Sequence, residues 1–190
     1  MSYDRIESDV EMVFVDSKPD LETQWRGLIL FGKNTATYKF AFGKSLLSIA
    51  ERGISRLSLE DLAPLYAQFL IEHLRSGNKQ GVSISSTFLS ALTRHIEGVA
   101  SLDEMLDATR KEGFKYVIEA FQNLGGGTIP DSFYSYNRVD KSIYLSDNLF
   151  KLKESVQGPN LTSEIEARWN LVETAWNLSV PVSAVQIEAE

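Results

Sequence analysis

Residues Gly27–Ser45 read GLILFGKNTATYKFAFGKS and hold two glycine–lysine pairs. Whether either pair is a phosphate loop decides between a nucleotide-binding α/β fold and a helical one. A phosphate loop needs a glycine, four residues, then Gly-Lys-Ser/Thr, because backbone N–H groups must curl round the phosphates while the hydroxyl holds magnesium. Gly27 and Gly32 have that spacing and Lys33 follows, but Leu28–Phe31 suits a buried strand and Asn34 replaces the hydroxyl. In Gly43-Lys44-Ser45, Tyr38 stands where the first glycine belongs. The stretch therefore predicts a strand over Leu28–Phe31, then a helix from about Thr35 to Arg52 capped near Asn34 or Thr35. Gly43 falls inside that helix at a cost of roughly 1 kcal/mol against alanine, so its expected use is close packing between Phe40 and Leu47.

Working outward, 190 residues allow one domain with a sizeable core, or a domain and a small appendage. Apolar residues make up 43% and aromatic residues 11%, enough to bury, so disorder is excluded for most of the chain. With no cysteine, disulfides, thiol catalysis and thiolate metal sites are all excluded. The acidic start MSYDRIESDVEMVFVD is unlike a secretory signal, and no apolar run approaches the ~20 residues of a membrane span, so a cytoplasmic chain without membrane contact is expected. A net charge of −7 argues against broad nonspecific attraction to nucleic acid, though not against a local basic face.

The fold class expected is mainly α (α+β), a helical bundle-like domain with a small β-hairpin. Residues 1–24 are read as a tail or short strand, the strand falling at Met12–Val15. Residues 25–158 are read as the helical domain, with the hairpin near 132–146. Residues 159–190 are read as a linker, a C-terminal helix and the start of a following strand at Pro181–Ile187. Three apparent capping boxes, Ser58/Asp61, Ser101/Glu104 and Ser163/Glu166, open helices with apolar stripes at three- and four-residue spacing. A further helix is expected over Ser86–Glu97. The helix from Ser101 is expected to reach Leu124 with Gly113 as a kink, and Gly125-Gly126-Gly127 to act as a hinge. Asn148–Ser155 is read as a short helix and Gly158-Pro159-Asn160 as the linker.

The candidates for chemistry are few. His73 and His95 are the only histidines, too few for an ordinary metal site, and both are expected to pack with a polar tip outward. The acidic clusters fall in first turns of helices, where unpaired N–H groups favour carboxylates. No catalytic residue, metal ligand or cofactor is assigned to this chain. Around the hairpin, Tyr134, Tyr136, Arg138, Lys141, Lys151 and Lys153 mix aromatic and basic groups, as nucleic-acid contacts do. The alternative is that alternate aromatics face the core. In the last helix Trp169, Val172 and Trp176 form an apolar stripe expected to seal a homo-oligomer or to fold back on the domain.

Two blocks carry a family resemblance. Trp25–Phe42, WRGLILFGKNTATYKFAF, resembles the N-terminal region of a group of bacterial HNH-endonuclease-type proteins, and Ala167–Trp176, ARWNLVETAW, looks like the helix that precedes the nuclease module there. The resemblance implies a ββα module further along, where a histidine activates water and a divalent ion stabilises the leaving oxygen. No HNH pattern occurs here, so no catalytic residue carries over, and the metal is expected only in that module. The function expected is a noncatalytic recognition, regulatory or assembly domain of such an endonuclease, touching DNA through the parent protein. The alternative is a free-standing cytoplasmic protein-interaction domain without nuclease activity.

Overall fold

The computed structural model describes residues 18–31, 36–77, 79–81 and 86–184. The strand expected at Met12–Val15 and the cap and lysine expected at Lys33–Thr35 lie outside these residues. The fold is mainly helical, as the sequence leads one to expect, and the described residues form two small antiparallel sheets.

The first difference falls in the opening stretch, where Leu28–Phe31 is not a strand but the end of helix α1 (Leu21–Phe31). Asp20 starts it by accepting a hydrogen bond from the Thr23 N–H (2.6 Å), which holds its carboxyl below the usual range. Buried Gln24, Trp25, Leu28 and Ile29 recur at helical spacing, which the apolar run of Leu28–Phe31 taken alone conceals. Helix α2 (Tyr38–Glu51) is apolar nearly all round and buried on most sides, the mark of a central helix. A Cβ at Gly43 would lie 3.3 Å from the Ile165 and Phe121 side chains, so the glycine does allow close packing.

Strand β1 (Arg56–Ser58) leads into α3 (Leu59–Arg75), capped by the Ser58 hydroxyl, which accepts from the Asp61 N–H (3.1 Å). Helix α4 (Thr87–Ile96) is capped by Ser86, and α5 (Leu102–Ala108) by the Ser101/Glu104 box. The helix expected to run on to Leu124 stops early. A π-turn over Thr109–Gly113 interrupts it and only the short α6 (Val117–Ala120) follows. A Cβ at Gly113 would sit 2.9 Å from the Phe88 ring, so the backbone itself packs on that ring.

Leu124 instead joins a hairpin, β2 (Asn123–Leu124) with β3 (Gly127–Thr128). Gly125 and Gly126, with φ of 61° and 90°, make its two-residue turn, so the glycine run is a turn and not a hinge. The expected second hairpin is β4 (Tyr134–Asn137) with β5 (Ser142–Leu145), and β1 adds on the other edge of β5 to give the order β1–β5–β4.

Helix α7 (Asp147–Glu154) is followed by a single 3₁₀ turn, Gly158–Asn160, and at once by α8 (Leu161–Leu178). The supposed linker is thus a tight corner whose Gly158 is buried while Pro159 and Asn160 are exposed. Because α8 begins at Leu161, Ser163 lies within its first turn and donates its hydroxyl to the Asn160 carbonyl (2.7 Å); Ser163/Glu166 is not a capping box. Val182–Ala184 is a 3₁₀ turn where a strand was expected, and residues 185–187 lie outside the described part. Among the described residues no helix is long and apolar enough to cross a membrane.

Candidate functional site

A polar centre is buried where α2, α3, α8 and segment 79–81 meet. His73, on α3, stacks on the Trp169 indole with centroids 3.7 Å apart and planes 2° from parallel. Its Nδ1 lies 2.8 Å from Glu173 Oε1 and its Nε2 2.9 Å from Glu166 Oε1. A carboxylate only accepts, so both contacts are hydrogen bonds when both ring nitrogens carry protons. Gln80 completes the centre. Its amide N–H donates to Glu173, and its Oε1 accepts from Trp169 Nε1 (2.9 Å) and Thr37 Oγ1 (2.6 Å). Lys44 closes the outer end, donating to Glu166 Oε2 (2.7 Å) with its ammonium 4.5 Å from the centre of the Phe69 ring.

This geometry binds elements of the fold together. The two carboxylates sit on opposite nitrogens of the imidazole and so do not converge on one point where a cation could bind. Among the described residues no group of three His, Asp or Glu side chains is placed to hold a metal ion. His95 lies apart, with Nδ1 donating to the Ala100 carbonyl (3.1 Å). Lys44, from the second glycine–lysine pair, is spent on Glu166 rather than presented beside a phosphate-binding loop.

The tryptophan stripe belongs to this centre. Trp169 and Val172 are fully buried in the chain's own core, so they are not available as an interface between copies. The helix folds back because α2 offers it an apolar partner, with Phe40 stacked on Trp169 at 5.9 Å. Trp176 is half-buried and lines an open cleft of about 780 Å³ that also includes Gln80, Leu89 and Arg94.

Next to the centre, two cations cap the C-terminal end of α1, which has no basic residue in its own last turn. Lys39 Nζ donates to the Leu28 and Ile29 carbonyls (3.2 and 3.0 Å), and Arg168 to the Leu30 carbonyl (2.9 Å). Burial, with the Arg168 charge nearby, lowers the Lys39 pKa from its ordinary 10.5 to about 7. The folded chain therefore sheds this proton near pH 7 while the unfolded chain keeps it to about 10.5, and unfolding between those values takes up a proton. Stability from this residue rises with pH across that window, by at most about 1.4 kcal/mol per unit. Urea unfolding at pH 6.5 and pH 9 is expected to show wild type gaining about 1–3 kcal/mol on Lys39→Met; no change in that difference would show that Lys39 ionises normally.

The hairpin face is less basic than its sequence. Tyr134 and Tyr136 share the inward side of β4, as alternation requires. Tyr134 is buried and donates its hydroxyl to the Ile118 carbonyl, with its pKa raised by burial, so its ring cannot stack on a base. Tyr136 is half-buried against the core. On the outer side Arg56 lies 5.5 Å from the centre of the Tyr144 ring, while Asp140 accepts from the Tyr144 hydroxyl (2.6 Å) and from Arg56 (3.2 Å). Arg138 pairs with Glu119, and Lys153 lies 3.8 Å from Glu51. Lys141, at the tip with φ of 50°, and Lys151 are exposed.

Sequence reasoning placed Trp169, Val172 and Trp176 on one face but missed Gln80, Glu166 and Glu173 as partners of His73. The available signal was spacing: Glu166, Trp169 and Glu173 lie at i, i+3 and i+7, on the side of α8 that carries the apolar stripe. No protein-family model, curated protein or solved structure matches this chain.

Proposed function

We propose that the chain is the noncatalytic recognition, regulatory or assembly domain of an HNH-type DNA endonuclease. The observation that carries this reading is that the two blocks resembling that group, far apart in sequence, pack together as one seam. Phe40 stacks on Trp169, Arg168 donates to the Leu30 carbonyl, and Thr37 and Trp169 share the Gln80 side-chain oxygen. A shared sequence pattern that maps to a packing seam marks a common scaffold, and function then rests on what the scaffold presents. In this reading DNA contacts fall to the exposed Lys141 and Lys151. The oligomer suited to cutting both strands forms through a surface other than the Trp169–Val172 stripe.

The chain alone, supplied with magnesium, manganese or zinc, is expected to leave supercoiled plasmid intact, since cleavage needs converging metal ligands and a base. Metal-dependent nicking that copurifies with the protein and vanishes in His73→Ala or His95→Ala would overturn the noncatalytic assignment. Reading the coding sequence onward from Glu190 tests the parentage. A histidine-bearing ββα pattern supports the endonuclease, whereas a stop codon there favours the free-standing interaction domain.

A further inference from the structure

We propose that Glu166 and His73 form a pH-operated latch that fastens α8 to α3, closed while the His73 ring carries both protons and released when Nε2 gives its proton to solvent. The charged groups around the ring balance only in the closed form. Glu166 and Glu173 of α8 face its two nitrogens, Lys44 of α2 donates to the other oxygen of Glu166 (2.7 Å), and Gln80 of segment 79–81 is uncharged. On α3 itself the neighbouring charges, Glu72 and Arg75, are exposed. Two carboxylates, one ammonium and one imidazolium sum to zero, whereas a neutral ring leaves a net negative charge beside the Trp169 indole. The parallel stack on that indole also favours a cation.

As pH rises the ring gives up one proton, and the surroundings select which. Nδ1 faces Glu173, which is 1% exposed, whereas Nε2 faces Glu166, whose side chain is 37% exposed. Without Nδ1–H the buried Glu173 carboxylate would meet a lone pair and could not turn to water, a costly arrangement. Without Nε2–H the same clash falls on Glu166, which can turn to water and keep Lys44. The neutral ring is therefore the Nδ1–H tautomer, and its Nε2 lone pair repels the Glu166 carboxylate 2.9 Å away. Both bonds need the doubly protonated ring, so the stability from Glu166 is present above the titration of the carboxylates and is lost as pH rises through that of the ring. Glu166 lies in the second turn of α8, so release frees the start of that helix from α3 while Glu173 still holds its second half. The latch is independent of the nuclease reading, since either can fail without the other.

The test follows the ring ¹⁵N resonances of His73 from about pH 5 upward until the ring is neutral, with the His95 signals identified by their loss in His95→Gln. Amide hydrogen exchange is measured on the same samples and corrected for its intrinsic pH dependence. Nε2 is expected to lose its proton while Nδ1 keeps its own, and protection of the amides around Glu166 to fall about tenfold over the same titration. Glu166→Gln, at a partly exposed position, is expected to keep the fold and erase that fall, because an amide can accept from Nε2–H or donate to a bare Nε2. A neutral ring protonated at Nε2, protection that does not follow the ring's titration, a fall shared equally by α4, or an undiminished fall in Glu166→Gln would overturn the proposal.

Discussion

Replacing Glu173 with alanine is expected to lower the free energy of unfolding by about 2–6 kcal/mol, the cost of leaving two buried hydrogen-bond partners without their acceptor. Glu173 is 1% exposed and accepts from both His73 and Gln80. Its removal leaves a buried imidazole N–H and an amide N–H without that acceptor, in a site closed by Trp169. The cost is that of stranded partners, not of the pair itself, since a buried pair exchanged for apolar residues of similar volume is often neutral. The double variant His73→Leu/Glu173→Leu is therefore expected to lose less than the sum of the single leucine variants, with a coupling of about 0.5–3 kcal/mol. Guanidinium titrations of the four proteins measure this. Additive losses would mean that the two residues do not act as a pair.

The second large effect is expected at Gly158. A Cβ there would lie 2.0 Å from the Lys153 carbonyl oxygen and 2.7 Å from its carbon, and neither backbone atom can swing aside. Gly158→Ala must push the end of α7 from the 3₁₀ turn, and a loss of about 3 kcal/mol or more is expected, at or above the upper end for overpacked sites. Gly127→Ala is the control, because a Cβ there meets nothing within 4 Å and its φ is not positive. Equal melting temperatures for the two variants would show that the corner at Gly158 is looser than described.

That corner shows why part of the fold was legible and part was not. Gly-Pro-Asn has the composition of a linker, and only the approach of Lys153 reveals a glycine required for space. Helices α3, α4 and α5 were legible because Ser58, Ser101 and the periodic leucines are local signals. The end of α1 was not, since its four apolar residues fit a strand equally well and its capping cations come from α2 and α8. His73 was rightly placed on an apolar stripe, but its carboxylate partners lie 93 and 100 residues later, a separation that no periodicity spans. The basic look of the hairpin failed for a related reason, because Glu119 and Asp140 neutralise Arg138 and Arg56 only once the chain is folded.

The way α8 seals α1 and α2 has a consequence during synthesis. Arg26 meets Glu164 and Lys44 meets Glu166 across 138 and 122 residues, so these bonds cannot form until α8 has left the ribosome. At about 5–20 residues per second, Trp25, Phe40 and the carbonyl end of α1 wait several seconds for their cover. In that interval the nascent chain shows apolar surface, and premature release before α8 would yield an aggregation-prone fragment rather than a smaller stable domain.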